Sequence, residues 1–224
     1  MAQHLWALAV ARPIPQARSD KVTGIVDPQV EGSPFTKSVI GIAASAGGLT
    51  ALTRLLSALS PKLDAAILVV LHLDPARPSQ LAEILGRRTS LPVKQAASKD
   101  QLHPGTVLIA PPGAHLLVDS QGTVSLSHRP PVHFVRPAAD RLFESIAASF
   151  GPRAVAVVLT GTGHDGATGA QAVKLAGGTV IVQDQSTSEF FGMPKSAMDA
   201  GQVDMILPLE KIAPALEALI GGRA

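Results

Sequence analysis

The sequence predicts a doubly wound α/β fold: a mostly parallel sheet with helices on both faces and an antiparallel hairpin at one edge. Three observations predict it. The apolar runs are mostly continuous rather than alternating, as strands buried on both faces require. They alternate with segments of helical periodicity, so successive strands are joined by crossovers. The interior is built from Ala, Val, Leu, Ile and Gly, with aromatics only 3% of the chain, which suits helices lying close on a sheet.

Residues 1–36 come first and read as an extended tail. Pro13, Pro15, Pro28 and Pro34 punctuate polar stretches that hold no sustained period. Residues 37–224 read as one domain, a size well suited to a single α/β core. Within it, strands are expected at 38–43, 66–72, 106–110, 154–160, 179–183 and 205–207. Helices are expected at 48–59, 79–88, 138–150, 167–176, 195–200 and 209–220. Residues 115–118 and 123–127 flank Asp119-Ser120-Gln121-Gly122, a hairpin signal that interrupts the alternation. No internal repeat is present.

Composition narrows the function. Hydrophobic residues are 46% of the chain and charged ones 16%, enough apolar surface for a core on both faces of a sheet. The net charge is +2, and Arg87-Arg88 is a lone basic pair rather than a stripe, so a nucleic-acid partner is not expected. The scarcity of rings also argues against base-stacking platforms. With no cysteine, disulfides, thiolate catalysis and Cys-ligated zinc are all excluded. No apolar run approaches the roughly 20 residues of a membrane span. The short run 5–11 lacks the basic residues that precede a secretory core. A cytoplasmic location without membrane insertion is the expectation.

Ligands of open parallel sheets bind beyond the carboxyl ends of the strands. The first strand runs into Ala44-Ser45-Ala46-Gly47-Gly48, the second ends at His72, and the strand AVAVVLT runs into Gly161-Thr162-Gly163-His164-Asp165-Gly166. These are the residue types of an acyl-transfer triad on one rim. A serine hydroxyl needs a base to take its proton, histidine does so near neutral pH, and a carboxylate on the other ring nitrogen fixes the tautomer. The small residues Ala46 and Gly47 let backbone amides approach an oxyanion. Each residue also has an ordinary structural use. Ser45 is placed to cap a helix beginning near Gly47, His72 to end a strand before Asp74-Pro75, and Asp165 to form an Asx turn or cap the next helix.

A second reading competes. Gly161 to Gly166 also matches G-x-G-x-x-G between a strand and a helix, and the next strand ends near Asp184, where a ribose-binding acid would fall. That pattern would make a dinucleotide- or phosphate-binding module. Against it, Asp165 would repel a pyrophosphate, and the motif comes late in the chain. No metal centre is expected, because His103, His115, His128 and His133 are scattered without helical ligand spacing. The order Ser, His, Asp, without G-x-S-x-G at the serine, sets the chain apart from α/β-hydrolases.

Several motifs together resemble one family. VIGIAASAGGL around Ser45, VVLHLDP around His72, VVLTGTGHDGATG around Asp165, PGTVLIAPPGAHL and FFGMPKSAM are similar to the catalytic domain of the protein-glutamate methylesterases of bacterial chemotaxis (CheB). The likeness runs from about residue 38 to 220. It implies hydrolysis of γ-glutamyl methyl esters on chemoreceptor cytoplasmic helices, releasing methanol, and in some relatives deamidation of receptor glutamines. Ser45 would be the nucleophile, His72 the base and then acid, and Asp165 the orienting carboxylate. Ala46, Gly47 and Thr162 fall at pocket positions, and no cofactor or metal is implied. The chain departs from the family pattern at Ala43, Thr162 and His164, where Gly, Met and Asn are common. The segment 132–137 keeps Arg136-Pro137 but lacks the polar residues usual before it. Many relatives also carry an N-terminal receiver domain, whereas only some 36 residues precede the first strand here. A stand-alone form is therefore expected, either unregulated in that way or controlled by a separate response regulator or methyltransferase.

Overall fold

A computed structural model describes residues 35, 37–72, 79–201 and 203–222. The tail expected over 1–36 lies outside them except for Phe35. Strands β1 (Ser38–Ala44) and β2 (Ala65–Leu71) are buried at every residue, which is why their sequences run apolar without alternation. Short strands β3 (Val93–Gln95) and β4 (Val107–Ile109) follow, then β5 (His115–Val118) and β6 (Val124–Ser127). Strands β7 (Ala154–Val158), β8 (Thr179–Gln183) and β9 (Met205–Leu207) complete the set. The helices are α1 (Gly48–Ala58), α2 (Leu81–Gly86), α3 (Ala139–Phe150), α4 (Ala167–Leu175), α5 (Gly192–Asp199) and α6 (Leu209–Gly221).

Seven strands form one sheet in the order β3-β4-β2-β1-β7-β8-β9, and every pairing in it is parallel. The alternation of side chains along β1 divides the core. Val39 and Ala43 join α3, α4 and α5 on one face, while Ile40, Ile42 and Ala44 join α1, α2 and α6 on the other. Gly41 lies on the α3 face, where an added Cβ would stand 2.9 Å from the Phe143 ring. The chain winds outward from β1 through β2, then returns to the far side of β1 as β7. That reversal opens a crevice at the carboxyl ends of β1 and β7, the place where such sheets hold ligands.

The hairpin forms where the sequence predicts it, as a two-stranded sheet of its own rather than an extension of the seven. Its Leu116, Val118 and Val124 join the core beneath α3. Its backbone is tied there by Ser145 and Ser149, whose hydroxyls bond the N–H and C=O of Val118 at 3.3 and 3.0 Å. Edge strand β3 was not expected, because Lys94 and Gln95 are exposed and give no apolar run. Helix α5 starts three residues before its expected limit of 195, with Pro194 in the first turn, where a missing N–H costs nothing. Phe35 packs edge-on against Phe150 with ring centroids 6.1 Å apart, and its carbonyl accepts a 2.6 Å bond from Arg153. Among the described residues no helix is long and apolar enough to cross a membrane.

Candidate active site

Ser45 is the first residue after β1 and His72 the first after β2. Ala44 and Leu71 are register partners, so Ser45 and His72 are the next pair along two adjacent parallel strands. The His72 N–H donates to the Ala44 carbonyl at 3.3 Å, and the Ser45 N–H to the Thr160 carbonyl at 3.0 Å. Ser45 does not cap α1: the N-cap is Gly47, in the left-handed region at φ 74°, and no side chain caps the helix. Gly161 stands so close to Ser45 that an added Cβ would lie 2.9 Å from the serine Cβ and 2.3 Å from Met193 Sδ. Only glycine fits between them.

Asp165 lies behind His72. Its Oδ2 is 2.7 Å from His72 Nε2, with the imidazole side chain 14% exposed and the carboxylate 3%. The same oxygen accepts the Ala139 N–H at 2.6 Å, and Oδ1 accepts that of Asp140 at 3.1 Å. These are the first amides of α3, which favour a negative charge. Burial alone would raise the carboxyl, but the hydrogen bond from His72, the two amides and the imidazole's charge together hold it below the ordinary carboxylate range. In the neutral ring, a proton on Nε2 donated to Asp165 leaves the lone pair on His72 Nδ1.

Asp140 answers Asp165 across the helix pair. Its Oδ1 accepts the N–H groups of Gly166 and Gly169 at 3.0 and 2.7 Å, at the start of α4. Each helix thus has its N-terminus satisfied by a carboxylate carried on or just before the other. This arrangement also decides against a dinucleotide at Gly161 to Gly166, since amides that would meet a pyrophosphate already hold a carboxylate. Asp140 Oδ2 lies 3.2 Å from His133 Nε2, near enough for attraction between charges but not aligned as a hydrogen bond.

The profile of the CheB methylesterase family matches residues 40–216. This chain belongs to that family. It is 42% identical over 188 residues to a protein-glutamate methylesterase/protein-glutamine glutaminase of Moorella thermoacetica, covering 82% of this chain and 44% of that protein. A protein of the same description from Symbiobacterium thermophilum is 36% identical over 215 residues, covering 96% and 59%. The chain spans about half the length of these curated relatives. The crystal structure of the Thermotoga maritima CheB methylesterase catalytic domain superposes with a TM-score of 0.80 at 37% identity, over 83% of this chain and all of that one.

Ser45, His72 and Asp165 thus lie together where this CheB-family fold has its topological switch. Ala46, Gly47 and Thr162 border them. The Ala46 carbonyl accepts the Thr160 hydroxyl at 3.1 Å, and the Cα of Thr162 lies 3.2 Å from where a Cβ on Gly192 would stand. Sequence reasoning missed the supports. The Thr160 hydroxyl also meets the Phe190 backbone, accepting its N–H at 2.8 Å. The wholly buried Gln183 accepts the Thr160 N–H at 2.8 Å and donates to the Thr187 carbonyl at 2.7 Å. A polar amide closing the apolar run TVIVQ was the available signal. Of the scattered histidines, His115 is structural: Nδ1 accepts the Ala138 N–H at 3.1 Å and Nε2 lies 3.1 Å from the Pro130 carbonyl.

Proposed function

We propose that residues 37–224 form a serine esterase that removes methyl esters from glutamate side chains of chemoreceptor cytoplasmic helices, working in the cytoplasm. The observation that carries this reading is the His72–Asp165 pair, 2.7 Å apart, beside Ser45. Ser45 Oγ attacks the ester carbonyl while its proton passes to His72 Nδ1. Asp165 stabilises the imidazolium through Nε2. The tetrahedral oxyanion is met by backbone amides near Ala46 and Thr162, each such donor being worth a few kcal/mol. Collapse breaks the bond to methoxide, which takes the proton from His72 and leaves as methanol. Water then attacks the acyl-enzyme with His72 again as base, freeing the glutamate carboxylate and restoring the serine hydroxyl. A glutamine amide follows the same course with ammonia leaving, as the double description of the relatives suggests.

Methanol release from a methylated receptor fragment tests the reading. The parent chain is expected to release it, and Ser45→Ala to be slower by about three orders of magnitude or more, as loss of a triad nucleophile is elsewhere. Equal release by both would remove Ser45 from the mechanism.

A further inference from the structure

Val132 and Val135 exchange backbone bonds of 3.1 and 2.9 Å, closing a two-residue turn over His133 and Phe134. Both turn residues lie in the left-handed region, at φ 49° and 66°, the signs of a type I′ turn, which Asn-Gly enters without strain. Two consecutive bulky residues there are strained, and such strain persists where the surroundings enforce it. For His133 the reason is visible. Its Nδ1 is 2.9 Å from His164 Nε2, and its Nε2 faces Asp140. For Phe134 the described residues supply none, since the side chain is 102% exposed.

The position of the turn suggests what Phe134 meets. His164 precedes Asp165 in the chain, so the turn is pinned to the wall of the cleft. One more of the exposed large apolar residues belongs to a segment bonded to the same strand end. Phe190, 40% exposed, belongs to the loop bonded to Gly161 and Thr160. Exposed apolar residues therefore stand on two segments tied to the elements that carry Ser45 and Asp165. An amphipathic helix with a glutamyl ester on one turn and apolar side chains on the turns beside it matches that pattern.

We propose that Phe134 is a docking anchor for apolar side chains flanking the esterified glutamate of a helical polypeptide substrate, with Phe190 beside it. This rests on the esterase reading above. The test uses two helical peptides bearing one glutamate γ-methyl ester, one with leucines three and four residues to either side, the other with alanines there. Their dissociation constants are measured by fluorescence anisotropy on the Ser45→Ala chain. The leucine peptide is expected to bind at least tenfold tighter, and Phe134→Asn to bring the ratio near one without lowering Tm, since Asn tolerates the left-handed region. Leu175→Asn, which changes an exposed apolar residue on α4 at the opposite end of the sheet, leaves the ratio at its parent value. A ratio that survives Phe134→Asn, or a Tm that falls by several degrees, overturns the proposal. Methanol release from N-acetylglutamate γ-methyl ester by the parent chain separates the two readings. Turnover with an indifferent ratio removes the anchor alone, and no turnover with the expected ratio removes the esterase alone.

Discussion

The carboxyls of Asp165 and Asp140 are both buried near one another, yet they are pushed in opposite directions. Asp165 is held low despite burial, by His72 and the amides of Ala139 and Asp140. Asp140 is raised, by burial first and by the charge of Asp165 next, and its bond from Gly169 does not offset them. Against an ordinary value of about 3.9, the signs follow. Stabilisation by Asp165 is complete above that value and is lost as pH falls through its lowered folded pKa. Stabilisation by Asp140 is complete below it and is lost as pH rises through its raised one. Asp165→Asn is therefore expected to cost about 1–3 kcal/mol near neutrality, the worth of charge-assisted bonds, and to differ less from the parent below about pH 4. Asp140→Asn keeps an oxygen for Gly166 and Gly169, and its stability relative to the parent should rise from acid towards neutral pH. Melting curves from pH 3 to 7 check both, and parallel trends in the two variants would contradict the opposed shifts. The sequence places Ser45 and His72 directly after apolar strands and Asp165 in the loop beyond a third, which is why these three stand out as candidates. Asp140 does not, because an acid in a helix's first turn looks ordinary until its partner on another helix is known.

At the scale of elements, the crossing of α3 and α4 carries the carboxylate. The Asp140 carboxylate reaches the first turn of α4 and Asp165 the first turn of α3 only because the helices nearly touch at Gly169. A Cβ there would lie 2.6 Å from Phe143 Cβ and 2.8 Å from the Asp140 carbonyl oxygen. Gly169→Ala must push the helices apart, at a cost of about 1–3 kcal/mol for overpacking, and it moves the amides that hold Asp165. Gly221, in the last turn of α6, has nothing within 4 Å of an added Cβ. Gly221→Ala is expected to be neutral or to stabilise by up to about 1 kcal/mol. Chemical denaturation of both variants, with ester turnover of the first, checks the contrast; equal midpoints would show that the crossing has slack. Both helices were readable from their periodicity. Their separation was not, since the glycines of GATG carry no sign of which of them faces a neighbouring backbone.

At the scale of the molecule, the sequence shows that strands and helices alternate but says little about strand order. Six runs were visible, and β3 escaped because it is short and half-exposed. The order places the candidate site at the centre of the sheet. Ser45, His72 and Asp165 follow β1, β2 and β7, which are adjacent at the centre, each with a parallel neighbour on both sides. The outer strands β3 and β9 have one neighbour each and include exposed residues. Local opening draws on segments with few buried contacts, and central strands exchange only when the whole domain opens. Hydrogen exchange should therefore find the amides of β1, β2 and β7 slowest, with β3 and β9 exchanging well before them. Because the site hangs from the slow strands, ester turnover should be lost at the same denaturant concentration as their protection, after the edges have already opened. Turnover lost while β1 and β2 remain protected would mean that the loops beyond the strand ends melt independently. In that case the bonds from Thr160 and Gln183, rather than the sheet, would set the stability of the site.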